Sequence, residues 1–492
     1  MIEQFAGGNI LIFLAIKVFL VAAVFLPIIA VNALFCIWWE RKVAGHIQSR
    51  VGPMHVGGWH GWAQTIADGI KLLFKEDLMP GSADAFLFKF APYLAFAPVF
   101  AAFVALPFGP QFVFDAGLSI GVLYVLAFLA VEIMAIIMAG WGSNSKWSIY
   151  GAMREACQMV SYEVPLGLAI VTGVLVAGTL NMVDLGYLQG GGLWDWFIFH
   201  NPFIFIAFVV YYIASLASNK RAPFDLPESE SELVAGFHTE YSGLRWSIFF
   251  MAEYGAMFIV GAVQASLFLG CWNSPLGSFD PIYALLGYDP VAAAQAHFSG
   301  AVAAANTFDA KAAAMNAAGA GGGSLTGFGL FVINCYGAFW MISKAMVVIF
   351  VQMWIRWTLP RIRIDQVLYT CIKVLLPLSL ITLLGAAFWV WLVPQGTPVT
   401  VTMVDGSTRM IHNLSHLASD THWLQGLTQI VLMLAGLSVV GFCVVIALMG
   451  WKGVLSKDDT QPPKTLFPDV MPVGDSIAFT KGPAEVKPAA VG

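Results

Sequence analysis

The chain has 492 residues, of which 59% are hydrophobic and only 11% charged, with a net charge of −5 and a mean hydropathy of +0.78. These values exclude a soluble globular protein, and the absence of a basic domain excludes a nucleic-acid binder. They describe an all-α polytopic membrane protein. The six cysteines, Cys36, Cys157, Cys271, Cys335, Cys371 and Cys443, stand singly without CxxC spacing. That pattern fits small buried side chains better than a disulfide framework or an iron–sulfur site.

The first apolar run, 9–38, follows Glu3 with no basic cluster and exceeds a signal-peptide core, so it is expected to be retained. Further runs near 90–110, 117–140, 160–179, 199–217, 246–271, 327–356, 368–393 and 424–450 complete nine predicted spans. One assignment of sides places 20 of the 24 Lys and Arg residues together, leaving Lys311 and Arg409 opposite and Lys17 and Lys344 inside spans. By that asymmetry the N-terminus is outside and the C-terminal tail cytoplasmic.

Between the first two spans, Trp62, Ile66, Gly69, Ile70, Leu73 and Phe74 recur at helical spacing, with Gln64, Asp68, Lys71 and Lys75 on the other face. An amphipathic helix in the cytoplasmic interface is predicted. It serves either as a lipid-resting connector or as a platform for an amphipathic substrate.

Glu132, Glu163 and Glu253 lie in the third, fourth and sixth spans, each on the order of 8–12 Å in from the cytoplasmic end at 1.5 Å per residue. Carboxylates at that depth either pair with Lys or Arg or relay protons, and three at one depth favour relay. Pro165 frees the carbonyl of Ser161 beside Glu163. In the loop predicted over 146–162, Arg154, Gln158 and Tyr162 form a polar stripe leading to Glu163.

Six of the 29 acidic residues, Asp225, Glu228, Glu230, Glu232, Glu240 and Glu253, fall within RAPFDLPESESELVAGFHTEYSGLRWSIFFMAE, 221–253. Asp225, three before Glu228, has capping-box spacing and predicts a helix that carries Asp225, Glu228 and Glu232 on one face. Such a stretch is either a solvated, capped loop or a charged site; carboxylates within the neighbouring spans favour the site.

Residues 272–326 form an outside insertion rich in Ala and Gly, read as flexible or marginally helical and given no chemistry. The seventh span ends in RWTLPRIRIDQ, whose Arg356, Arg361 and Arg363 suit anions, headgroups or a partner, although topology alone accounts for them. His412, His416 and His422 are read as solvated loop residues, and no metal is expected. Beyond Trp451 the tail turns polar and rich in Pro and Lys, as in a disordered or partner-wrapped segment.

Taken together, ERKVAGHIQSRVGP (40–53), ADGIKLLFKED (67–77), REACQMVSYEVP (154–165), RAPFDLPESESELVAGFHTEY (221–241) and PRIRIDQ (360–366) resemble one family. It is the H subunit of proton-pumping NADH:quinone oxidoreductase, bacterial complex I, and the resemblance spans roughly 10–395. It implies a bacterial inner-membrane subunit whose eight-helix core, within 1–395, forms the membrane side of a quinone chamber and begins an acidic proton path. The chamber motifs fall on Glu40, Arg41, Lys42, Gln48, Arg50, Arg221, Phe224, Asp225, Arg361, Arg363 and Asp365. The acidic path falls on Glu132, Glu163, Asp225, Glu228, Glu230, Glu232 and Glu253. Quinone is then the substrate and lipid a neighbour. No cofactor is expected on this chain, FMN and iron–sulfur clusters belonging to partner subunits.

The sequence departs from the family's usual pattern at Ser218 and Lys220, where an acidic residue and an Asn are common. It also carries the insertion, an outside loop over 396–423, an added span over 424–450 and the tail 451–492. Rival readings are a subunit of an energy-converting hydrogenase or other-donor complex, a proton-coupled transporter, and a structural anchor. No internal repeat supports the transporter.

Overall fold

The computed structural model of the chain describes residues 10–114, 118–227, 230–299, 308–318, 325–392, 399–402, 408–411 and short stretches of 426–438. Eight long apolar helices dominate: α1 (Ile10–Ile47), α3 (Ala85–Ala102), α4 (Gly121–Gly142), α5 (Lys146–Ala177), α6 (Pro202–Ser218), α7 (Gly243–Phe268), α8 (Gly327–Thr358) and α9 (Ile364–Leu392). Seven of them are long and apolar enough to cross a membrane, and α6, at 17 residues, is shorter. The helix α2 (Gln64–Phe74) lies between α1 and α3. Among the described residues the only strands form a small antiparallel ribbon, Val399–Thr402 with Thr408–Ile411. Most of the predicted last span, all three loop histidines His412, His416 and His422, and the tail lie outside the described residues.

Two helices run past their predicted ends, and this matters for the site. The first helix continues from the apolar run through Glu40, Arg41 and Lys42 to Ile47, since no breaker intervenes before Ser49 at φ +55°. The fourth span begins at Lys146 rather than 160, so Arg154 and Gln158 sit on a helix and not in a loop. Pro165 lies inside α5 without ending it, and the carbonyl it frees on Ser161 accepts the Cys371 thiol of α9.

α7 is the most buried span and packs against α1, α3, α6 and α8. Small residues allow the approach: a Cβ on Gly255 would lie 2.7 Å from Val99 Cγ1. At its start Gly243 takes φ +56°, with Lys75 O only 3.0 Å from where a Cβ would stand. Ser242 Oγ, just before it, donates to Glu76 O and accepts from Leu78 N, tying the α2 exit to α7. The predicted amphipathic face of α2 is present, with Trp62, Ile66, Ile70, Leu73 and Phe74 all exposed.

One expectation is corrected. The helix predicted from Asp225 is a single turn, Glu230–Leu233, cut off by Val234 at φ +67°. Of the two readings of the insertion, its described residues fit the helical one, with short helices Pro281–Leu286, Pro290–Phe298 and Phe308–Ala318. Asp280 and Asp289 cap the first two, each ahead of a proline at the first helical position. The insertion docks through His297, whose Nε2 is 2.8 Å from Asp184 Oδ1 and whose ring stacks on Tyr187 at 4.2 Å. Lys311 Nζ also donates to Gln111 Oε1.

Candidate functional site

Two adjacent cations, Lys220 and Arg221, follow the end of α6 and turn inward, Lys220 at φ +54°. They are 5% and 4% exposed, and each gathers carboxylates from helices distant in sequence. Arg221 Nη1 donates to both Glu40 oxygens, at 3.2 and 3.0 Å, and its Nη2 lies 2.9 Å from Glu253 Oε1. Its guanidinium stacks 4.6 Å from the Tyr254 ring centroid, and the Tyr254 hydroxyl donates to Glu40 Oε2 at 2.6 Å. Arg356 of α8 closes the other side of Glu40. Lys220 Nζ donates to Glu132 Oε1 at 2.9 Å and stands 3.7 Å from Glu155 Oε1. Burial pulls the Lys220 ammonium down, but Glu132 and Glu155 outweigh it and hold its pKa above the usual lysine value.

These two ion clusters meet at a small cavity of about 10 Å³, lined among others by Glu132, Lys220, His238 and Glu253. That is close to the least space a single water needs. Burial, reinforced by the Lys220 cation, pushes the His238 imidazole down to about 4, so at neutral pH it is uncharged.

A second cavity, of about 630 Å³ and almost wholly apolar, runs between α1, α7 and α8 along Val31, Phe35, Trp39, Phe258 and Phe339. Its polar margin includes Asn32, whose Nδ2 donates to the backbone carbonyl of Tyr254. An apolar groove and a buried ion layer are thus joined through one residue. At the rim, Arg154 Nη1 and Arg361 Nη2 bind the two oxygens of Glu232 at 2.6 and 3.0 Å. These arginines, Arg154 foremost, hold the exposed Glu232 carboxyl below its usual range.

The comparisons with known proteins point one way. Residues 19–387 match the profile of the NADH dehydrogenase family. The chain belongs to that family. It is 43% identical over 384 residues to the H subunit of the NADH-quinone oxidoreductase of Chlorobium luteolum, covering 77% of this chain and 91% of that one. The corresponding H subunit of Anaeromyxobacter dehalogenans is 39% identical over 370 residues, covering 75% and 81%. That of Geobacillus kaustophilus is 39% identical over 365 residues, covering 74% and 91%. The resemblance carried by the five sequence motifs is therefore borne out.

Of the residues the family motifs single out, the fold brings Glu40, Arg221, Glu253 and Glu132 into the buried layer, and Arg361 and Glu232 to the rim. Phe224 is buried against Tyr162, 5.3 Å between ring centroids, and Asp225 is half-buried close to Glu253. Arg41 instead bridges to Asp68 of α2 at 2.6 Å, and Lys42 Nζ reaches Met54 Sδ at 3.1 Å. Gln48, Arg50, Arg363 and Asp365 are exposed. Glu163 is half-buried and joins no ion pair among the described residues. Glu228 lies outside the described residues, as does the side chain of Glu230.

Two members of the layer were not among the sequence candidates as partners, Lys220 and Glu155. The Lys220 cation, conspicuous as a departure from the family pattern, finds its counter-charges on α4 and α5. The signal for Glu155 was its place eight residues before Glu163 on one continuous helix, which the late predicted start of that helix concealed.

Proposed function

We propose that this chain is the membrane-embedded H subunit of a proton-translocating NADH:quinone oxidoreductase, supplying the membrane side of a quinone chamber and the first acidic stretch of the coupling path. The observation that carries this reading is the buried layer Glu40–Arg221–Glu253 next to Lys220–Glu132, which shares a cavity wall and adjoins an apolar groove through Asn32 and Tyr254. A quinone has a long apolar tail and a polar head. The groove along Val31, Phe35 and Phe258 suits the tail, and the exposed apolar face of α2 suits passage from lipid.

Reduction of a quinone adds electrons that protons must neutralise. Carboxylates held by arginines answer such a change, because a new negative charge nearby competes for the same cations and raises proton affinity. In this account Arg221 and Arg356 fix Glu40, Arg221 fixes Glu253, and the Arg154–Glu232–Arg361 clamp steadies the rim. Electrons come from FMN and iron–sulfur clusters in partner subunits. The chain sits in the bacterial inner membrane with the α1–α2 and α6–α7 connections on the cytoplasmic side, the N-terminus periplasmic and the C-terminus cytoplasmic.

The test is photo-crosslinking of the purified native complex with an azido-quinone, alongside NADH oxidation by a quinone analogue. Labelling of this chain that excess quinone suppresses, with inhibitor-sensitive NADH oxidation, supports the reading. A complex that labels but oxidises only another donor favours a hydrogenase-like assembly, and a chain that purifies alone without labelling contradicts both.

A further inference from the structure

Glu155 is fully buried (0% exposed), and neither of its carboxylate oxygens has a hydrogen-bond partner among the described residues. Its ion-pair partner among the described residues is the Lys220 ammonium at 3.7 Å, which already serves Glu132 at 2.9 Å. One cation, set over the Phe237 ring at 5.7 Å, thus faces two carboxylates on neighbouring helices.

The layer as a whole carries Glu40, Glu132, Glu155 and Glu253 against Lys220, Arg221 and Arg356. Among the groups joined by these ion pairs anions outnumber cations by one, before the half-buried Asp225 near Glu253 is counted. An uncompensated buried charge is expensive, and one resident proton removes it. Glu40 has three donors, Glu132 has Lys220 and Glu253 has Arg221, whereas Glu155 has only the more distant approach of Lys220. The proton therefore belongs on Glu155.

We infer that Glu155 is a proton-holding member of the acidic layer and exchanges its proton with Glu132 through movement of Lys220. The step conserves charge: the Glu155 carboxyl gives its proton to the Glu132 carboxylate while the Lys220 ammonium, keeping its own three protons, turns from Glu132 to the newly formed Glu155 carboxylate. Glu132 then faces the water-sized cavity whose other wall is Glu253. This inference rests on the proton-path reading above.

The test uses the whole complex in sealed vesicles and measures protons translocated per NADH oxidised. Reduction of ferricyanide by NADH serves as the control for assembly. Glu155→Gln is expected to lower the proton yield severalfold with the ferricyanide rate retained, and to remove a protonated-carboxyl band from the redox-induced infrared difference spectrum. Glu155→Asp is expected to keep pumping and shift that band. The double variant Glu155→Gln with Lys220→Gln, which is charge-balanced only if Glu155 is an anion paired with Lys220, separates the roles, since a proton carrier is not replaced by removing its counter-ion. Recovery of pumping in the double variant would reduce Glu155 to a counter-ion and overturn the inference. An unchanged yield and spectrum in Glu155→Gln would overturn it as well. Glu253→Gln run in parallel tells the two readings apart: loss there with normal Glu155→Gln sinks this inference alone, and full pumping in both sinks the proton path itself.

Discussion

Replacing Arg221 by Met removes the cation on which both Glu40 and Glu253 depend. In the structure that guanidinium makes two hydrogen bonds to Glu40, contacts Glu253 at 2.9 Å and stacks on Tyr254. Glu40 keeps Arg356 and the Tyr254 hydroxyl, so its loss is partial. Glu253 keeps no direct cation among the described residues, and leaving such a buried charge unpaired costs about 3–5 kcal/mol. A change of that size raises the unfolded fraction more than about a hundredfold, which cellular proteolysis turns into a large loss of abundance. The amount of the chain recovered in assembled complex, read by quantitative blotting of native gels, should fall more than tenfold for Arg221→Met. Arg221→Lys keeps the charge but loses the fork and the stacking, so it should fall between. Arg221→Met with Glu253→Gln removes the orphaned carboxylate and should recover most of the loss. Parental abundance in Arg221→Met, or no recovery in the double variant, would refute the reasoning.

Other expectations follow from single contacts. Gly255→Leu should destabilise by about 1–3 kcal/mol through overpacking against Val99, read as a lower inactivation temperature of the purified complex. The Arg41–Asp68 bridge, with side chains 41% and 42% exposed, should show a double-mutant coupling below about 1 kcal/mol that disappears in high salt. His238 binds its proton more weakly folded, at about 4, than at its ordinary value of 6.5. The unfolded chain therefore holds more protons between those pH values, and stability falls as pH drops through that window, by on the order of 3 kcal/mol at its lower end. His238→Gln should flatten this part of the profile of inactivation temperature against pH.

The helices were legible because spans of about 20 apolar residues announce themselves, and α2 because its polar and apolar faces alternate at helical spacing. The ends of the helices were not, and the site lies at those ends. Glu40 and Glu155 belong to helical extensions beyond the predicted spans, Glu155 in a stretch read as a loop; only the packing of α7 on α1, and of α4 and α6 on α5, makes them interior. Lys220 stood out as a departure from the family, but its partners are 88 and 65 positions away, and no local spacing links them. The insertion was read as flexible or marginally helical, and its described residues hold three short helices, two of them announced by the Asp-Pro pairs at 280–281 and 289–290. Glu163, prominent in the motif, is set apart from the layer because eight helical residues, about 12 Å, separate it from Glu155.

The central claim is that this buried layer couples quinone reduction to proton movement. Its most direct measurement is the number of protons translocated per NADH oxidised by the reconstituted complex carrying Glu132→Gln, with the rate of inhibitor-sensitive quinone reduction recorded in the same vesicles. The account predicts a proton yield well below that of the parent in complexes that remain fully assembled. A parental proton yield at a parental quinone rate would contradict it.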